Sequence, residues 1–253
     1  IGAFEALAPG SPWKLVGVLG VVTGIGILSF YAVVAGWTVG YFFKTLTGAF
    51  SRPLIGEQSK AIFVGFIGSP GVAVRLLFLF IAATMYVVGG GIAEGIEKWS
   101  KILMPVLFGI LVLLALYAVT LEGASKGLEF YLKPDPSKIT PGTFAKALGQ
   151  ALFSLSLGMG TMITYGSYLP RREHLAVSAG YVALFDTLIA FLAGLVIFPT
   201  LFAMGMDPAG GAGLVFVVLP TIFGKMPLGT VFGTLFFLLL SLAALTSTIS
   251  LLE

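Results

Sequence analysis

No cysteine occurs in the 253 residues, which excludes a disulfide framework, a thiolate metal site and a thiol nucleophile. Histidine is almost as scarce. The single one, His174, lies in the polar segment Arg171-Arg172-Glu173-His174 and reads as a solvated loop residue. No His or Cys cluster is available for a transition metal. Nor is there a Walker-type phosphate loop, so nothing supports ATP-driven work. A serine protease acting inside a membrane would need a base at depth. The one histidine lies outside the apolar stretches and no lysine sits within them, so this reading has no support either. Charged residues make up only 10% of the chain, against about a quarter in soluble domains. The net charge of +3 is too small and too dispersed for a nucleic-acid surface. The start, IGAFEALAPG, lacks an initiator Met and the basic residues of a signal peptide. The expectation is therefore a chain that begins partway through a longer protein.

What remains is apolar. Hydrophobic residues make up 58% of the chain and the mean hydropathy is +1.06, which predicts an all-α transmembrane protein. A span needs about 20 apolar residues, and about six stretches qualify: residues 15–43, 76–93, 102–121, 147–169, 175–204 and 228–252. Residues 1–253 then form one membrane segment. Longer connections at about 44–74, 121–146 and 205–227 carry turn signals such as Arg52-Pro53, Ser69-Pro70 and Asp207-Pro208. The run DPAGGAG (207–213) reads as a turn within a re-entrant or surface hairpin. The short connections hold Lys14, Lys98, Lys101, Arg171 and Arg172. Weighting short loops places them on the cytoplasmic side.

The fourth stretch is interrupted at Gly158-Met159-Gly160, with hydroxyls nearby at Ser154, Ser156 and Thr161. A helix in lipid must satisfy its own backbone, so a weak point there predicts a broken central helix lining a cavity. Broken helices near the bilayer midplane hold ions and substrate in many secondary transporters. Asp186 lies eleven residues into the fifth stretch. A carboxylate at that depth costs about 2.5–3.5 kcal/mol to insert and reads as an ion ligand or proton carrier. The bland alternative is a packing role or a place near the interface. Ser154 and Ser156 add hard oxygen ligands, or bond their own backbone. Ala243, Thr246, Ser247 and Ser250 share a face of the sixth stretch, for close packing or for a ligand; composition alone points to packing. Tyr31 lies too deep for an interfacial belt, so its hydroxyl needs a structural partner or a ligand.

The stretch GQALFSLSLGMGTMITYGSYLP (149–170) resembles the sixth helix of the neurotransmitter:sodium symporter family. LSFYAVVAGWTVGY (28–41) is similar to its third helix, GIAEGIEKWSKILMPVLF (91–108) to its fourth-to-fifth junction, and LAALTSTISLLE (242–253) to its eighth. The resemblance implies helices three to eight of a longer bacterial amino-acid type of symporter. The fold implied is a partial inverted-repeat transporter fold whose flanking helices lie outside this chain. It further implies that Ser154 and Asp186 ligate a first sodium, and that Ala243 (by its carbonyl), Thr246 and Ser247 ligate a second. Tyr31 would hold the substrate carboxylate. Ile27, Phe153, Ser154, Ser156, Met159, Ser247 and Leu251 would complete the substrate site, with Phe153 as its outer lid. Tyr168 would belong to an intracellular gate.

Two departures from the family pattern bear on specificity. Asp186 stands where many members have Asn, and Ala190 where chloride-dependent members place a hydroxyl. The carboxylate is therefore expected to supply the negative charge that chloride supplies elsewhere. Met159 replaces an aromatic found in some members, which leaves room for a medium or large apolar amino acid. The expected activity is sodium-coupled symport of an apolar or aromatic amino acid, probed against two alternatives: an inactive fragment of such a transporter, and a channel. The expected partners are the amino acid, Na⁺ as coupling ion and the lipid bilayer, with no organic cofactor and no nucleic acid. A homodimer is left open. The expected location is a multi-pass position in a bacterial or archaeal inner (plasma) membrane.

Overall fold

Long apolar runs can satisfy their backbone in lipid only as helices or closed barrels, and the computed structural model of this chain is helical. It describes residues 1–89, 93–169, 174–208 and 211–252. The helices are α1 (Gly2–Leu7), α2 (Lys14–Leu46), α3 (Gly56–Ile67), α4 (Pro70–Gly89), α5 (Ala93–Val119), α6 (Ala124–Leu132), α7 (Pro141–Ser154), α8 (Thr161–Tyr168), α9 (Leu175–Ala203), α10 (Leu214–Phe223) and α11 (Gly229–Leu252). Among the described residues there is no strand. By length and composition α2, α4, α9 and α11 can each cross a membrane. The apolar part of α5, Met104–Val119, turns through 116° into α6. The fourth expected span is the interrupted one, and it is two half-length helices, α7 and α8.

The structure corrects several boundaries. α4 begins at Pro70, not near Leu76. Proline suits that first position because its missing N–H would have no helical partner there. α5 begins at Ala93 although its first turns are polar. Segments 44–74, 121–146 and 205–227 are not plain loops but contain α3, α6 and α10, which are nine to twelve residues long. Helices that short cannot span, so a search for spans passes over them.

The chain divides into two compact units. The larger holds residues 32–134 and 188–246. Its core is aromatic. Tyr41 is fully buried and meets Phe50, Phe63, Phe66, Phe216 and Phe237 at centroid distances of 5.0–6.4 Å. α3 lies on α10, where Ser59 donates its buried hydroxyl to the Val217 carbonyl at 2.6 Å. Residues 216–223 of α10 are all buried, so this helix is covered on every face, and its one polar side chain, Thr221, donates to the Val218 carbonyl. The hydroxyls of Thr38 and Ser241 lie 2.8 Å apart and tie α2 to α11. α6 packs on α9 at Gly127, where a Cβ would stand 2.4 Å from the Phe198 carbonyl oxygen.

The smaller unit holds residues 1–31, 135–187 and 247–253. α7 starts cleanly: Thr140 accepts from the Thr143 N–H and donates its own N–H to the Thr143 hydroxyl, a reciprocal cap. Gly20 of α2 faces the interrupted segment, and a Cβ there would stand 2.7 Å from the Met159 carbonyl oxygen.

Candidate functional site

The ladder of α7 ends at Ser154, four residues ahead of the first of the two glycines, and it closes with a defined cap. Ser156 has φ 55°. The N–H of Leu157 reaches back to the Leu152 carbonyl at 2.8 Å, and that of Ser156 to the Phe153 carbonyl at 3.1 Å. This is a Schellman cap with serine at the left-handed position that glycine usually fills. It satisfies the carbonyls of Leu152 and Phe153. Those of Ser154 and Leu155 lie past the last turn that the cap serves. Gly158 and Gly160 follow at φ 81° and 86°, conformations glycine takes without steric cost. α8 then begins at Thr161, and the Gly160 carbonyl accepts from Ile163 at 2.9 Å. A C-terminal helix end and an N-terminal one therefore stand six residues apart in one stretch. One presents carbonyls and the other N–H groups.

Ser154 and Asp186, thirty-two residues apart, meet here: the serine hydroxyl donates to the Asp186 carboxylate at 2.6 Å. Asp186 is half-buried on α9. Its carboxylate faces the end of α7, a placement common to an ion ligand and to a polar pair made for packing.

A cavity of about 270 Å³ adjoins the same segment. Ile27, Tyr31, Phe153, Ser154, Ser156, Met159, Ser247 and Leu251 all line it. These are the eight residues expected to hold substrate, drawn from α2, the α7–α8 break and α11. Thr161, Tyr165 and Ser250 line it as well and were not among the expected site residues. Tyr165 follows Thr161 by four residues on α8, so helical spacing from the interrupted motif was the available signal. A second cavity of about 680 Å³ shares Met159, Thr161, Ser250 and Leu251 with the first and extends along Gly17, Gly20 and Gly24 of α2. The break is thus bordered by open space on two sides.

Ala243, Thr246 and Ser247 lie within little more than a turn of α11. The Thr246 hydroxyl donates to the Ala243 carbonyl at 2.8 Å, so two oxygens of the expected second sodium set are already side by side. Ala190 lies one turn beyond Asp186 on α9. The side chain of Tyr168 lies outside the described residues, as do Arg171 and Arg172, on which the charge-based orientation draws. His174 is exposed ahead of α9, as expected of a loop histidine. Among the described residues no group of three or more His, Cys, Asp or Glu is placed to hold a metal ion. The oxygens at the break are instead carbonyls, hydroxyls and one carboxylate, a set suited to a hard cation.

The model of the Sodium:neurotransmitter symporter family matches residues 61–253. The sodium-dependent transporter YhdH of Bacillus subtilis (strain 168) is 41% identical over 253 residues, covering 100% of this chain and 56% of that protein. The sodium-dependent transporter MJ1319 of Methanocaldococcus jannaschii is 34% identical over 269 residues, covering 99% of this chain and 54% of its own length. The crystal structure of MhsT in complex with L-phenylalanine is 49% identical and superposes with a TM-score of 0.93, over 100% of this chain and 57% of MhsT. The chain spans about half the length of these relatives. Its spans, together with bacterial and archaeal sodium-dependent relatives, make it a multi-pass plasma-membrane protein of a transporter family, not an enzyme family. The helix broken at paired glycines, the serine and acid that meet across it and the agreement in fold over the full chain have one common source: the chain belongs to the sodium:neurotransmitter symporter family.

Proposed function

We propose that the complete protein is a sodium-coupled symporter of an apolar or aromatic amino acid and that it works without chloride. One observation carries this reading: the 2.6 Å contact of Ser154 with Asp186 at the end of an opened helix. Na⁺ must exchange its water for several oxygens at once. The Ser154 hydroxyl, the Asp186 carboxylate and carbonyls at the α7 end offer such a set. Ala243, Thr246 and Ser247 would supply a second. An amino acid carries opposite charges at its two ends. Helix-end carbonyls suit its ammonium, and the Tyr31 hydroxyl with a sodium ion suits its carboxylate. Its side chain would lie among Ile27, Phe153, Ser156, Met159, Ser247 and Leu251. MhsT, which was crystallised with L-phenylalanine, supports a large apolar substrate. The Asp186 carboxylate would provide the fixed negative charge beside sodium, with no hydroxyl at Ala190 to help hold a chloride.

The test is phenylalanine binding to the complete protein as a function of Na⁺, for the parent, Ser154→Ala and Asp186→Ala. Weaker sodium dependence in both variants is expected. An unchanged sodium midpoint in both would remove the site. Replacing chloride with gluconate should leave uptake unchanged.

A further inference from the structure

A third hollow, of about 490 Å³, lies within the larger unit and is unrelated to the broken helix. Phe43 and Lys44 of α2, Ile62 and Phe66 of α3, and Val72 and Leu76 of α4 border it. Its place along the spans is informative. The apolar run of α2 ends at Lys44, and α4 enters the membrane from Pro70 nearby, with Arg75 its first charge. The hollow therefore straddles the level where hydrocarbon gives way to headgroups. Phe43 and Leu76 lie on the hydrocarbon side and Lys44 on the headgroup side. Arg75 donates its Nε–H to the Gly71 carbonyl at 2.9 Å, so its side chain folds back toward the start of α4 and the water. Lys44 is half-buried, its ammonium 5.6 Å from the centre of the Phe66 ring. It forms no ion pair with any described residue.

We propose that this groove binds an anionic phospholipid, with the phosphate at Lys44 and an acyl chain along Phe43, Ile62 and Leu76. Charge decides between occupants. An apolar helix laid over the groove would bury the Lys44 ammonium without a counter-charge, which is costly at membrane depth. A phosphodiester supplies that counter-charge, and its tail matches the apolar wall below. Lys44 is held ready by the Phe66 ring, so little order is lost when the lipid arrives.

Gly65 gives an independent probe. It borders the groove, and a Cβ built on it meets nothing within 4 Å. Gly65→Leu therefore adds a side chain at the groove whose Cβ meets no neighbour, and it improves helix propensity in α3. The complete protein would be purified from mixed vesicles of phosphatidylglycerol and phosphatidylcholine, and its retained lipid counted by native mass spectrometry. The parent should retain phosphatidylglycerol in preference. Lys44→Gln should lower that preference about fivefold. Gly65→Leu should lose the retained lipid of either class. Retention unchanged in either variant overturns the proposal. So does a Gly65→Leu protein that loses a dimer while keeping its lipid, because the occupant would then be a second copy of the chain.

Discussion

Ser156 is the residue where stability and binding pull in opposite directions. It is the left-handed residue of the cap that closes α7, at φ 55°, and it also lines the 270 Å³ cavity. An L side chain in that conformation costs about 1–2 kcal/mol. Glycine would remove the cost but would lose about 0.5–1 kcal/mol more backbone entropy on folding. Ser156→Gly should therefore leave the complete protein as stable as the parent or stabilise it, by about 0–1.5 kcal/mol net. The same change removes a hydroxyl from the cavity wall. A neutral hydrogen bond is worth about 0.5–1.5 kcal/mol, so if that hydroxyl bonds the backbone end of the amino acid, affinity should fall by about two- to tenfold. Ser156→Ala separates the two effects: it deletes the hydroxyl, keeps Cβ and keeps the strain. Affinity should fall as in the glycine variant with no gain in stability. Chemical denaturation and ligand titration at saturating Na⁺ measure both quantities. A destabilised Ser156→Gly protein would show that the segment does not hold the left-handed turn, and the account of the opened helix would fail with it. Strain stored at a residue that also faces a ligand cavity is the pattern expected where function sets the sequence.

Other outcomes follow from the same geometry. In a cycle of Ser154→Ala, Asp186→Asn and the double variant, effects on the Na⁺ midpoint should be non-additive by more than about 0.5 kcal/mol if both groups share one ion; additivity would argue against a shared ion. Gly20→Ala drives a Cβ to 2.7 Å from the Met159 carbonyl oxygen, whereas Gly24→Ala on the same helix meets nothing within 4 Å. Amino-acid affinity measured by titration should drop for the first and hold for the second. Gly127→Ala places a Cβ 2.4 Å from the Phe198 carbonyl oxygen, backbone against backbone. It should cost about 1–3 kcal/mol in unfolding free energy while leaving the Na⁺ midpoint of the surviving protein unchanged.

Parts of the site were legible in the sequence because they break a strong local rule. A carboxylate inside an apolar span and two glycines inside a membrane-length helix both cost free energy, and cost marks a position without any alignment. Asp186 and the Gly158–Gly160 step were found that way. The structure adds the contact between Ser154 and Asp186, which joins two such positions. The reversal itself was less legible. The glycines drew attention to residues 158–160, yet the first left-handed residue is Ser156, two positions earlier. The helix ends where its cap can form, and the glycines carry the chain through the rest of the turn. α10 was missed for a different reason. Nine of its ten residues are apolar, without periodicity, and such a run cannot be told from a buried strand or loop until its partners are known. Its partner α3 lies about 150 residues away in sequence, joined by Ser59 reaching the Val217 carbonyl.

The same distinction separates the two sets of expected sodium ligands. Ser154 and Asp186 come from different helices and gain a meaning only when the fold brings them together. Ala243, Thr246 and Ser247 lie on one helix, where spacing alone puts them on adjoining positions and the Thr246 hydroxyl bonds the Ala243 carbonyl. That bond is also what a threonine in any membrane helix tends to form, so it does not discriminate a ligand from a packing residue. The 270 Å³ cavity does better, because Ser247 borders it together with residues of α2 and of the break. Of the stripe on α11, Ser247 is therefore the position whose replacement should alter amino-acid binding directly. Thr246→Val keeps shape and removes a hydroxyl, so any effect should appear in the Na⁺ midpoint and not in affinity at saturating Na⁺. A change confined to saturating-Na⁺ affinity would remove Thr246 from the cation set and return the stripe to helix packing.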